Sequence, residues 1–90
     1  MTRPNLTRVD LVNRFSALSD VLKWSLKHDQ VLSAGQRICI NQERAAILSC
    51  LNQITENKVP VLKYQIPKHL EQKVRFIGEK IKIPISNLLI

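Results

Sequence analysis

The stretch VPVLKYQIPKHLEQKVRFIGEKIKIPISNLLI, residues 59–90, decides how the rest of the chain is read. It begins with an alternation in which Leu62, Tyr64 and Ile66 point one way and Lys63 and Gln65 the other, the period of a half-buried strand. Pro67 ends that strand and suits the first position of a helix, where its missing N–H costs nothing. Leu70, Val74, Ile77 and Ile81 then recur at spacings of four, three and four, one apolar stripe on a helix. Gly78 falls near the end of this helix, where glycine commonly supplies a left-handed cap. Ile83-Pro84-Ile85-Ser86-Asn87 forms a turn, with a last short helix opening around Ser86 and running through Leu88, Leu89 and Ile90.

Strand, helix, turn and helix in this order resemble the ribbon-helix-helix family of DNA-binding proteins, the Arc and CopG-like repressors, over residues 59–90 only. The resemblance implies that two chains pair their strands into a ribbon that enters the major groove. It makes Lys63 and Gln65 the base readers, and it makes the backbone around Ile85, Ser86 and Asn87 a phosphate clamp. The chemistry fits these roles. Lys donates to guanine acceptors, Gln bonds adenine bidentately, and a helix N-terminus offers free N–H groups to an anion. The second helix would be cut short at Ile90.

Charge points to the same segment. The chain of 90 residues carries a net charge of +7. Residues 1–57 hold seven Lys/Arg against five Asp/Glu, whereas residues 58–90 hold seven against Glu71 and Glu79 alone. A basic surface attracts polyanions through counterion release without reading sequence. Lys68, Lys73 and Arg75 join Lys63, Gln65, Ser86 and Asn87 as the candidate nucleic-acid contacts. The partner expected is DNA, with RNA as the alternative, and an anionic membrane or an acidic protein as the other partners that such charge would suit. The bland reading is solubility, since a charged face is most often only solvated. A chain this small has a modest core, and a homodimer held by pairing of the strand would add buried surface.

Toward the N-terminus, Thr7 caps a helix, with Asp10 three residues on completing an approximate capping box. Leu11, Phe15, Leu18, Leu22 and Leu26 follow at spacings of four, three, four and four, flanked by Val21, and predict a helix over about 7–28. Its polar side carries Arg8, Asn13, Asp20, Lys23 and Lys27. Trp24 lies off the main stripe, at the edge of the core or at a partner interface. Ser33-Ala34-Gly35-Gln36 resembles a turn. Asn41 is a good N-cap with Glu43 in the first turn, and Ile47, Cys50, Leu51 and Ile54 predict a helix over about 41–55. Glu56-Asn57-Lys58 and Pro60 break it.

Other chemistry finds little support. Cys39 and Cys50 are too few and too far apart for a metal site, and Cys50 on an apolar stripe is best read as a small buried hydrophobe. His28 beside Asp29 and His69 beside Glu71 bring no nucleophile motif, and two glycines leave no phosphate-cradling loop. No cofactor, catalytic group or metal ligand is expected. The polar N-terminus lacks a signal-peptide pattern, and no apolar run approaches the roughly 18 residues of a membrane span, so a reducing, cytoplasmic setting without membrane contact is expected. The architecture expected is mainly α. It is a small helical domain spanning residues 1–90, with a flexible tail at 1–6, helices at about 7–28, 41–55, 67–81 and 85–90, and one short strand at about 61–66. Within the DNA-binding class a helix-turn-helix competes, with 41–55 as support and 67–81 as reader, although the intervening strand exceeds the short turn that motif uses. From another class, a helical adaptor would dock a partner protein through the Leu11–Leu26 face or Trp24.

Overall fold

Three helices and no strand make up the described residues of the computed structural model, which are 7–28, 31–54 and 62–88. The expected tail at 1–6, the break at 56–60 and the terminal Leu89 and Ile90 lie outside them. Helix α1 runs Arg8–Lys27, α2 runs Ala34–Gln53 and α3 runs Lys68–Lys80. A single 3₁₀ turn, Ile85–Asn87, follows.

Helix α1 starts where Thr7 places it. The Thr7 hydroxyl accepts from the Asp10 N–H at 3.1 Å and the Asp10 carboxylate accepts from the Thr7 N–H at 3.0 Å, a complete capping box. The buried side of α1 is rotated from the expected stripe. Leu11 and Leu18 are buried, but they share that side with Arg14, Ala17, Val21 and Ser25, while Phe15 and Leu22 are only half-buried and Leu26 is exposed. Hydropathy alone misses this rotation because two of its buried members are polar.

Helix α2 begins seven residues before the expected start. Ser33, rather than opening a turn, is its N-cap, and Gln36 closes a second capping box with bonds of 3.1 and 3.0 Å. Asn41 and Glu43 are therefore interior helical positions, and Glu43 is buried rather than exposed in a first turn. The Ser-x-x-Gln pattern is the signal for this start, obscured by Gly35. At the other end Ile54 caps α2, and Thr55 lies outside the described residues. Ile47 and Cys50 are buried, as the spacing predicts. Burial pushes the Cys50 thiol above its usual pKa, a shift that nearby Lys63 moderates.

The expected strand does not form. Residues 62–66 belong to no helix or strand, although side-chain burial alternates as the sequence indicates: Leu62 and Tyr64 half-buried, Ile66 buried, Lys63 and Gln65 exposed. The Ile66 N–H donates to Glu43 Oε1 at 3.0 Å, so a side chain of α2 takes the bond that a strand partner would have made. A hydrogen bond with the Cys39 side chain is the chief reason the Tyr64 phenol titrates above its usual range.

Pro67 is the N-cap of α3, and Leu70, Val74 and Ile77 face inward as expected. Gly78 is not the left-handed cap. That conformation falls at Lys82, with φ of 60°. There Ile83 N–H reaches Gly78 O at 2.9 Å and Lys82 N–H reaches Glu79 O at 3.3 Å, a Schellman closure. What Gly78 provides is space, because a Cβ there would stand 2.9 Å from Leu88 Cδ1. Of the expected helix at 85–90, Ile85–Asn87 form a 3₁₀ turn and Leu88 lies in the core, while Leu89 and Ile90 fall outside the described residues.

Candidate nucleic-acid interface

The inner side of α3 determines what its outer side can present. Arg14 of α1 is 3% exposed and Glu43 of α2 is 1% exposed, and they meet Glu71 of α3 at the centre of the molecule. Arg14 Nε and Nη2 donate to Glu43 at 2.7 and 3.2 Å. Nη1 and Nη2 donate to Glu71 at 2.9 and 2.7 Å, and Nη1 also donates to the Leu88 carbonyl at 2.8 Å. All five guanidinium N–H groups are thereby used. Burial by itself would lower the Arg14 pKa, but hydrogen bonds to Glu71 and Glu43 outweigh it and hold the group charged well above the ordinary arginine range. No buried side-chain nitrogen or oxygen among the described residues lacks a partner.

This cluster alters the charge balance of the surface. It contains one cation and two carboxylates, a net of −1, so the remainder of the chain carries +8 to reach the total of +7. Glu71, one of only two acids in the basic segment, is turned inward and spent on Arg14. Glu79 is then the one acid left on the outer side of α3.

At 100° per residue, Lys68, Gln72, Arg75, Phe76, Glu79 and Lys80 span an arc of about 140°. All six are exposed. Three cations of the basic segment thus share one solvent-facing surface, two of them (Lys68, Arg75) being predicted nucleic-acid residues. Arg75 lies 3.8 Å from Glu71, a loose pair beside the tight bonds to Arg14. Lys80 Nζ sits 4.8 Å from the centre of the Phe76 ring. Phe76 itself is 54% exposed, an aromatic face among cations. Sequence reasoning missed it, although its absence from the Leu70–Ile81 stripe is a usable signal.

The other predicted nucleic-acid residues are placed differently. Lys73 is half-buried and donates to Gln36 Oε1 at 3.2 Å, tying α3 to the N-terminus of α2. Lys63 and Gln65 are exposed, alternating with the more buried Leu62, Tyr64 and Ile66. Ser86 is exposed and Asn87 half-buried, and their 3₁₀ turn packs against α1 and beside Gly78 on the inner side of α3.

Trp24 is half-buried and stacks on His28 with ring centroids 3.9 Å apart. The His28 imidazole meets the Trp24 carbonyl at 3.0 Å, a helix-end role. Of the Leu11–Leu26 stripe, Leu11 and Leu18 are turned to the core, Phe15 and Leu22 are half-buried and Leu26 is exposed. Among the described residues no group of three His, Cys, Asp or Glu is placed to hold a metal, and no helix is long and apolar enough to cross a membrane. No family model matches the chain, and no curated protein or solved structure shows significant similarity to it.

Proposed function

We propose that this protein is a non-catalytic nucleic-acid-binding protein whose contact surface is the outer face of α3. The observation that carries the reading is the exposed row Lys68, Arg75 and Lys80 around Phe76, opposed by Glu79 alone. Cations on one helix face follow a phosphate backbone and release its counterions. An exposed aromatic beside them offers a surface on which a base can stack. The finer form of the proposal is a dimeric DNA-binding regulator, as the ribbon-helix-helix resemblance implies. Lys63 and Gln65 both face solvent, as base readers must, and a second copy would have to supply the strand partner.

The test is a fluorescence titration of labelled random duplex and single-stranded oligonucleotides at two salt concentrations. Binding should weaken steeply with salt. Replacing Lys68, Arg75 and Lys80 by Ala should reduce the logarithmic salt slope by about one for each phosphate that is no longer neutralised. An unchanged slope returns the charge to solubility. Lys63→Ala with Gln65→Ala should cost a selected duplex roughly 1–3 kcal/mol for each base that is no longer read. A scrambled duplex should respond mainly to the missing Lys charge. Equal weakening on both duplexes would remove the reading role.

A further inference from the structure

A second surface, unrelated to α3, is carried by the other side of the α1–α2 pair. Between the two helices lies an open hollow of about 520 Å³ lined on α1 by Ser19, Leu22, Lys23 and Leu26 and on α2 chiefly by Arg37, Ile38 and Arg44. At 100° per residue, Ser19 and Lys23 stand about 140° and 180° around α1 from the buried Arg14, so the hollow faces away from the ion cluster. Its apolar wall is open to solvent, with Leu26 68% and Ile38 58% exposed. Exposed Val12 and Leu48 continue the two rows toward the other end of the pair. Val12 to Leu26 is roughly 21 Å along the helix axis, or about four turns. Contiguous exposed apolar surface with a polar rim marks an interaction site more often than a solvated face.

We infer that this seam docks an acidic amphipathic helix of a partner protein. Charge complementarity selects the occupant. Lys23, Arg37 and Arg44 border the apolar strip, and no acidic residue lines it. Arg44 is held in place by neutral groups only: Nε donates to Ser19 Oγ at 3.1 Å, Nη1 donates to Asn41 Oδ1 at 2.7 Å, and the guanidinium lies 4.8 Å from the centre of the Phe15 ring. Among the described residues nothing neutralises it, so an oriented cation waits at the edge of a hydrophobic groove. A groove along two packed helices accepts a third helix through apolar anchors spaced one turn apart, and acidic flanks on that helix would meet the three cations. A second copy of this chain is a poor occupant, because its net charge is +7.

The experiment uses the full chain and a labelled peptide of about four helical turns, with Leu at one-turn spacing and Glu elsewhere. A control peptide keeps the same Leu positions and carries Lys in place of Glu. Fluorescence anisotropy should show saturable binding of the acidic peptide and little of the control. Leu26→Glu with Ile38→Glu should weaken binding by about tenfold or more while the melting temperature stays near that of the parent, both side chains being exposed. Lys23→Glu with Arg37→Glu should reverse the preference toward the Lys peptide, a change that poorer packing alone would not produce. Amide shifts on peptide addition should map to residues 19–26 and 34–48 and leave α3 unmoved. The Lys68, Arg75 and Lys80 replacements should leave peptide affinity unchanged, which keeps this result separate from nucleic-acid binding. Equal binding of both peptides, or shifts confined to α3, would overturn the inference. So would a concentration-dependent dimer abolished by Leu26→Glu with Ile38→Glu, which would assign the seam to self-association. Binding to phosphatidylserine vesicles in place of the peptide would likewise overturn it.

Discussion

The two sides of α3 carry the same kinds of side chain under opposite physical rules. Inside, Arg14 and Glu43 are withdrawn from water and Glu71 is half-buried, and Arg14 binds both carboxylates at 2.7–3.2 Å with the Leu88 carbonyl completing the set. Outside, Lys68, Arg75 and Lys80 remain solvated, and Arg75 makes only the loose 3.8 Å approach to Glu71. A buried charge is expensive to leave alone and so must be matched completely. A surface charge contributes little to stability and is free to meet an external polyanion. Burial, rather than residue type, separates the charges that hold this fold from the charges proposed to serve it.

The largest effect is expected where the inner side is broken. Arg14→Met should cost roughly 3–5 kcal/mol, because it leaves two carboxylates without their cation and the Leu88 carbonyl without a donor. Denaturant unfolding would measure it, and a change below about 1 kcal/mol would mean that water replaces the guanidinium without penalty. Next in size is Gly78→Val. The added side chain meets Leu88 Cδ1 and should cost about 1–3 kcal/mol by overpacking. Thermal melts would show whether the 3₁₀ turn yields instead.

Lys73→Ala tests a residue between the two regimes. Removing its bond to Gln36 should cost roughly 0.5–1.5 kcal/mol in a denaturant titration, whereas a purely external cation would cost nothing measurable. The smallest effect belongs to the outer row. Lys68→Ala, Arg75→Ala and Lys80→Ala should each melt within about 0.5 kcal/mol of the parent. A larger destabilisation at Arg75 would show that its 3.8 Å approach to Glu71 supports the inner cluster, and would blur the division between the two sides.

This division is half legible in the chain. The concentration of positive charge in residues 58–90 is evident by counting, and the stripe of α3 is evident by spacing. That Glu71 turns inward is not, since its partner lies 57 positions away along the chain. Phe76 is visible only as a residue left off the stripe.

Local rules are enough for several elements. The Thr7–Asp10 box sets the start of α1, Pro67 sets the start of α3, and the alternation at 62–66 sets which side chains are exposed. Each depends on neighbours within a turn or on a backbone period, so the information lies within a few residues. The early start of α2 is also local, written in Ser33 and Gln36, but a glycine between them masks it. Tertiary structure alone decided the rest. Arg14 is buried because two acids from distant helices converge on it. The segment 62–66 stays unpaired because Glu43 captures the Ile66 N–H. Gly78 is required as glycine because Leu88, ten residues on, packs where its Cβ would stand. In each case a partner far away in sequence determines the outcome, and its position exists only once the helices have packed.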